Sequence, residues 1–212
     1  MPDVPAKARY HHGNLRAALI DAGVELAQAG GPDAVVVREA SRRVGVSHNA
    51  AYRHFPDRDT LVRAVAERSM GELAGLMEHL IDDVGREDTS VTAANLRLRA
   101  TGVAYVRFAL SEPGLFRTAF AVARQLQHFG PGEGTGESGL NPYELLNRQL
   151  DELVLAGGLS PERRPYADTT AWSAVHGLSM LFLEGPLREL PDAERQAALE
   201  SLLDTIERGL AP

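Results

Sequence analysis

Apolar residues along this 212-residue chain recur at intervals of three and four, the period of helices that bury one face. Leu15, Leu19, Ala22 and Leu26 form one such stripe. They predict a helix from Leu15 to about Ala29, capped by Asn14 and ended by Gly30, Gly31 and Pro32. A short second helix is predicted from Arg38 to Val44, stopping at Gly45, where a tight turn needs left-handed backbone. Ser47 is a natural N-cap for a third helix running to Phe55, before Pro56. Asp57 is placed to cap a longer helix from Arg58 to about Leu80, with Leu61, Val65, Leu73, Leu76, Met77 and Leu80 as its buried positions. Farther on, helices are predicted over Val91–Leu110, Leu115–Ala119, Pro142 to Gly157, Pro161–Glu184 and Asp192–Gly209. Val35, Val36 and Val37 form a β-branched run too short and isolated to make a sheet. The expected fold is all-α: a loose arm (1–9), a three-helix head (10–56) and a larger helical body (57–212). Within the body, the glycine-rich stretch Gly130–Gly139 is expected to be mobile.

Two short helices joined by a glycine-containing turn make the helix-turn-helix layout, whose second helix enters the DNA major groove. The net charge of −7 runs against nucleic-acid binding until it is divided along the chain. Residues 1–68 hold 10 Lys/Arg against 8 Asp/Glu, a net +2, whereas 69–212 hold 12 against 21, a net −9. A mildly basic head on an acidic body turns its attractive side toward phosphate.

The order of these features resembles the TetR family of bacterial transcriptional regulators. The likeness is carried by YHHGNLRAALIDAGVELAQAG, by VREASRRVGVSHNAAYRHF and by PDRDTLVRAVAER. Tyr52, His54 and Phe55 fall on that family's Y-x-[YH]-F pattern. In AWSAVHGLSML, Trp172, His176 and Gly177 have the spacing of a WHG-type C-terminal domain. Two positions depart from the family: Val35 and Val36 stand where threonine or serine usually caps helix two, and Arg58 replaces a lysine. A lost cap costs about 1 kcal/mol, which burying a valine offsets. The resemblance implies a one-component regulator, a repressor by family default. It would bind a pseudo-palindromic double-stranded operator as a homodimer and be released by a small apolar or amphipathic effector held in the C-terminal regulatory and dimerisation domain.

Position on the third helix makes His48 and Asn49 the candidate base readers, with a plain solvated surface as the other reading. Ser47 and Arg53 complete the exposed edge of that helix. Arg38, Tyr52, His54 and Arg58 suit phosphate contacts that set register without reading sequence. Arg42 and Arg43 would add only long-range attraction. In the body, Phe108, Phe116, Phe120, Trp172, His176 and Met180 are candidate pocket residues. The alternative is that the aromatics are ordinary core and that His176 bonds a neighbouring backbone. Ala171, Ala174, Val175, Leu178, Leu199, Leu202 and Ile206, on the last two predicted helices, suit helix-on-helix packing between two subunits.

Other chemistry is missing from the sequence. There is no cysteine, so no disulfide and no thiolate metal site, which suits a reducing cytoplasm. No apolar run approaches the roughly 18 residues that a membrane span needs. Gly130–Gly139 lacks the Lys-Ser/Thr of a phosphate loop; no H-E-x-x-H or G-x-S-x-G occurs, and no cofactor or metal is implied. The rival readings are a constitutive DNA-binding protein without an effector, and an all-α enzyme or binding module with a vestigial head.

Overall fold

The computed structural model describes residues 15–123 and 134–211. Among these residues there are nine α-helices and no strand. The helices are α1 (Leu15–Gly30), α2 (Val37–Val44), α3 (His48–Tyr52), α4 (Arg58–Val84), α5 (Val91–Ser111), α6 (Pro113–Ala123), α7 (Pro142–Leu155), α8 (Ala167–Leu183) and α9 (Asp192–Leu210). The expected arm at 1–9 and the Asn14 cap lie outside the described residues.

Side-chain caps fix several boundaries. Ser47 accepts from the Ala50 amide at the start of α3, Asp57 from Thr60 on α4, and Ser90 from Ala93 on α5. Asn141 and Glu144 form a reciprocal capping box that opens α7, with Pro142 at a position where no N–H is required. Helix α2 goes without: its N-cap Val36 makes no side-chain bond, while Val35 and Val37 on either side are buried. Burial of these two valines offsets what the missing hydroxyl would have contributed.

Three elements depart from the pattern. Helix α3 ends at Tyr52, and Arg53 and His54 form a turn held by the His54 and Phe55 amides on the Ala51 carbonyl. The helix expected from Pro161 opens only at Ala167. Pro165 is the reason: inside a helix it lacks a donor and collides with the preceding turn. Tyr166 then takes a left-handed conformation (φ 65°) to start α8. In the glycine-rich stretch, the described part is anchored, not loose. Glu78 of α4 accepts hydrogen bonds from the Glu137 amide (2.8 Å), the Ser138 amide (3.0 Å) and the Ser138 hydroxyl.

A single buried cluster runs from α1 (Leu19, Leu26) through Phe55 and the first half of α4 (Leu61, Val65) into α5 and α6 (Phe108, Phe116). A second cluster ties α5, α7 and α8 at the far end through Leu98, Leu150 and Leu153. Between α4 and α5, the almost fully buried Arg97 donates to the Gly85 and Asp88 carbonyls (3.0 and 2.9 Å) and to Glu152 (3.1 Å), holding the connecting loop. No helix among the described residues is long and apolar enough to cross a membrane.

The head meets the body at α1, which packs against both α4 and α6. At Gly114 of α6 a Cβ would lie 2.0 Å from the Ala27 carbonyl oxygen, so only glycine permits the approach. Since the obstacle is backbone, neither helix can relieve it by changing a rotamer. Gly114→Ala is therefore expected to cost about 3 kcal/mol or more in urea denaturation. Gly75→Ala, inside α4 with open space around the new methyl, should instead stabilise by about 0.5 kcal/mol. Equal midpoint shifts for the two would show that the α1–α6 contact is not limiting.

Candidate nucleic-acid interface and internal cavity

A five-residue helix cannot hold itself together in water, so α3 depends on what it leans on. Its inner side supplies Ala51 and, just beyond, Phe55, both fully buried. The Arg16 guanidinium of α1 lies 5.4 Å from the centre of the Phe55 ring. On the outer side Ser47, His48, Asn49, Tyr52, Arg53 and His54 are exposed. Gly45 makes the intervening turn in left-handed backbone, φ 76°.

Hydrogen bonds sort these outer residues further. Buried Ser41 of α2 lies 2.7 Å from His48 Nδ1 and 2.8 Å from the Arg38 carbonyl, so the His48 ring is held against α2 with Nε2 left free of that contact. Arg58 is engaged as well: its Nη2 donates to the Pro32 carbonyl (2.6 Å), with Asp33 at 3.4 Å, tying the start of α4 to the turn before α2. Arg42 is paired with Glu39, and Arg43 with Glu25 and Glu39. Those pairs hold the Glu39 carboxyl below its ordinary range, chiefly through the Arg42 hydrogen bond. Arg38 and Arg53 are exposed and outside these pairs.

The body encloses a cavity of about 660 Å³ between α4, α5, α7, α8 and α9. Met70, Leu73 and Met77 of α4 form one wall, with Tyr105 of α5 and Phe120 of α6 beside them. Trp172, Ala171 and Val175 of α8 face the same space. Toward the rim stand Asn95, Arg99, Tyr143, Glu144 and Glu207.

Of the six pocket candidates from the sequence, only Phe120 and Trp172 line the cavity. Phe108 and Phe116 are buried core, and Met180 packs half-buried against it. His176 stands one layer back from the wall, close to the Phe120 ring (centroids 4.9 Å apart), and bonds a side chain where a backbone partner was the alternative. The interface candidates fall into two groups by burial. Ala171, Val175 and Leu199 are buried within their own chain, and Ala171, Val175 and Ile206 face the cavity. Ala174, Leu178 and Leu202 are half-buried. The open side of α8 instead carries Ser173, Gly177 and Leu181.

Sequence reasoning missed Tyr105, which organises the inner wall. Trp172 Nε1 donates to the Tyr105 hydroxyl (3.2 Å), and that hydroxyl lies 2.8 Å from His176 Nδ1. An indole can only donate, so the phenol oxygen is the acceptor of that bond. Its own proton then goes to the imidazole nitrogen, the stronger base, and donation is reinforced by the bond already accepted. His176 is thereby assigned as the Nε2–H tautomer. Burial raises the Tyr105 pKa and lowers that of His176, keeping both neutral near pH 7. The one sequence signal for Tyr105 was its place one turn beyond Thr101 on a helix with no charged residue between them.

The rim repeats the arrangement. Tyr143 donates its hydroxyl to Asp168 of α8, which raises the phenol pKa. Arg99 is held by Glu200, by Asp204 (2.7 Å) and more distantly by Glu207 (3.8 Å). Among the described residues no group of three His, Asp or Glu side chains is placed to hold a metal ion.

The tautomer and the burial make two expectations. Nitrogen-15 NMR should show His176 Nδ1 unprotonated and Nε2 protonated at pH 7; the opposite pattern refutes the assignment. Because the folded pKa of His176 lies below the ordinary 6.5, the unfolded chain takes up the proton first as pH falls. Stability should therefore decline as pH drops from that ordinary value through the folded one, and His176→Phe should flatten that part of the melting profile.

Comparison with known proteins meets this geometry at both ends. The profile described as bacterial regulatory proteins, tetR family, matches residues 19–65, covering α1 to the start of α4. That described as a tetracyclin repressor-like C-terminal domain matches residues 98–206, which include Trp172, His176 and Gly177. No curated protein gives a significant match. Among solved structures, a protein of unknown function from Rhodococcus sp. RHA1 is 28% identical over 97% of this chain and 100% of its own, with a TM-score of 0.75. A TetR-family transcriptional regulator from Pectobacterium atrosepticum is 20% identical over 95% and 98% of the two chains, TM-score 0.62. A TetR variant from Acinetobacter baumannii AYE, solved in complex with minocycline, is 21% identical over 96% and 100%, TM-score 0.60. With a helix-turn-helix head, a matching helical body and more than half of its length inside these profiles, this chain belongs to the TetR family of DNA-binding transcriptional regulators and is not an enzyme.

Proposed function

We propose that the protein is a repressor that binds a pseudo-palindromic operator as a homodimer in the cytoplasm and lets go when a small amphipathic molecule fills the body cavity. The observation that carries the reading is the exposed polar edge of α3 on a fully buried footing of Ala51 and Phe55. Asn49 and His48 read bases; Ser47, Tyr52, Arg53, His54 and Arg38 position the helix on phosphates. Ser41 holds the His48 ring, so the two act together at one base pair. Arg58 serves mainly to brace the head through the Pro32 carbonyl and presents its remaining N–H groups to phosphate.

One short reading helix contacts too few base pairs for useful selectivity, so two copies act together. The head at 10–56 reads DNA and the body at 57–212 pairs the subunits and receives the ligand. Ser173, Gly177 and Leu181 on α8, with Ala174, Leu178 and Leu202 beside them, form the face on which a second copy packs. The cavity volume of about 660 Å³ falls in the range of small-molecule sites, about 300–1,000 Å³. Its wall is α4, whose first turn carries Arg58 against the head, so a ligand that displaces Met70 or Leu73 shifts the spacing of the two heads. Such couplings amount to about 1–3 kcal/mol. A structural neighbour of this fold was solved in complex with a small molecule, minocycline, which is in keeping with an effector.

The test is selection of bound fragments from genomic DNA with the purified protein, followed by titration at several salt concentrations. An inverted repeat should emerge, bound by two chains. Arg38→Ala should weaken all sequences alike and reduce the salt slope by about 1. Asn49→Ala should cost about 1–3 kcal/mol at one base pair of each half-site and relax preference there. Ser41→Ala and His48→Ala should change preference at the same base pair as each other. A purely monomeric protein, or one indifferent to sequence, refutes the proposal.

A further inference from the structure

Resting on the effector reading above, we infer that the cavity selects hydrogen-bond donors: an amine or ammonium on an apolar body, in preference to a carboxylate. The argument is a count of protons. Each hydroxyl or N–H on the wall that has a mapped bond spends its hydrogen on the protein. Tyr105 gives its proton to His176, Tyr143 to Asp168, and Thr101 to the Leu98 carbonyl (2.7 Å). The Trp172 N–H is used on Tyr105. What these oxygens still offer the cavity is lone pairs.

Charge points the same way. Arg99 is the one cation on the wall among the described residues, and three carboxylates surround it. Glu207 and Glu144 also reach the wall. One Glu144 oxygen accepts the Asn141 amide (2.8 Å), which leaves the other for a ligand. Asn95, Asn141 and Thr169 carry both donors and acceptors and favour neither class. An anionic head group would thus face carboxylates in excess of the one arginine, and phenols whose protons point away from it. An ammonium would meet lone pairs, carboxylates and the faces of Trp172 and Phe120, which attract cations. Met70, Leu73 and Met77 supply the apolar end for a hydrocarbon tail.

Trp172 is the only tryptophan in the chain and lies on the cavity wall, so its fluorescence reports occupancy directly. The full-length protein at pH 7 is titrated below micellar concentrations with decylamine, decyltrimethylammonium and decanoate. Melting temperature is followed in parallel. Decylammonium is expected to bind at least about tenfold more tightly than decanoate, the equivalent of one well-made hydrogen bond. It should also exceed the trimethyl analogue, which has the charge but no N–H. Decanoate binding as tightly as the amine overturns the selection while leaving the effector reading intact. Equal binding of the two cations overturns hydrogen-bond donation as its basis. Silence from all three probes in both measurements overturns the selection and the effector reading together, leaving operator binding untouched. His176→Phe frees the Tyr105 proton to turn outward, so decanoate should gain several-fold and the ratio narrow. Tyr143→Phe, at the exposed rim where folding is least affected, should weaken decylammonium alone. If neither variant changes the ratio, the inference fails.

Discussion

Everything in this protein turns on α4 carrying one continuous buried face from the head to the cavity. Its 27 residues span about 40 Å at 1.5 Å per residue. The first turns bury Leu61 and Val65 beneath the head; the middle turns present Met70, Leu73 and Met77 to the cavity. A close-packed helix of this kind moves as a body, because neither end can yield without opening voids. Its contact with α1 and the backbone-tight approach of α6 to α1 at Gly114 leave the head little freedom of its own. The cavity wall and the buried footing of α3 thus belong to one packed cluster.

The same constraint explains where polar groups are found. Along α4 and α5 they are tied to structure. Glu78 fastens the segment before α7, and Arg97 fastens the loop after α4. Buried Ser69 returns its hydroxyl to the carbonyl of Val65. Each removes an otherwise costly unpaired group. The cavity wall follows the same rule. There the protons are directed into the protein and the lone pairs remain, so satisfying the fold's own hydrogen bonds also sets what the space accepts.

In the head, pairing decides which cations are available. Arg42 and Arg43, to which the sequence gives only a long-range attraction, have Glu25 and Glu39 beside them on α1 and α2, which partly neutralise even that. Arg58 is drawn back to the Pro32 carbonyl. Near α2 and α3, among the described residues, this leaves Arg38 and Arg53 as the exposed arginines outside such contacts. His48 is aimed by Ser41, a contact between α2 and α3 that the six intervening residues do not announce.

The sequence alone determined what depends on near neighbours. Ser47, Asp57 and Asn141 place helix starts because a side chain three residues from an amide caps it whatever lies elsewhere; Gly45 places the turn because only backbone geometry is at stake. The three-and-four spacing of Leu61, Val65, Leu73 and Met77 likewise marked the buried face of α4. Tertiary structure decided the rest. Helical spacing says that Ala171, Val175 and Ile206 are shielded, but the same apolar stripe serves a cavity wall or a second subunit equally well. Only the packing of α8 and α9 on α5 turned those residues inward and left Ser173, Gly177 and Leu181 outside. The meeting of Tyr105, Trp172 and His176 was equally invisible, since partners about 70 positions apart are joined by the fold and not by any local rule.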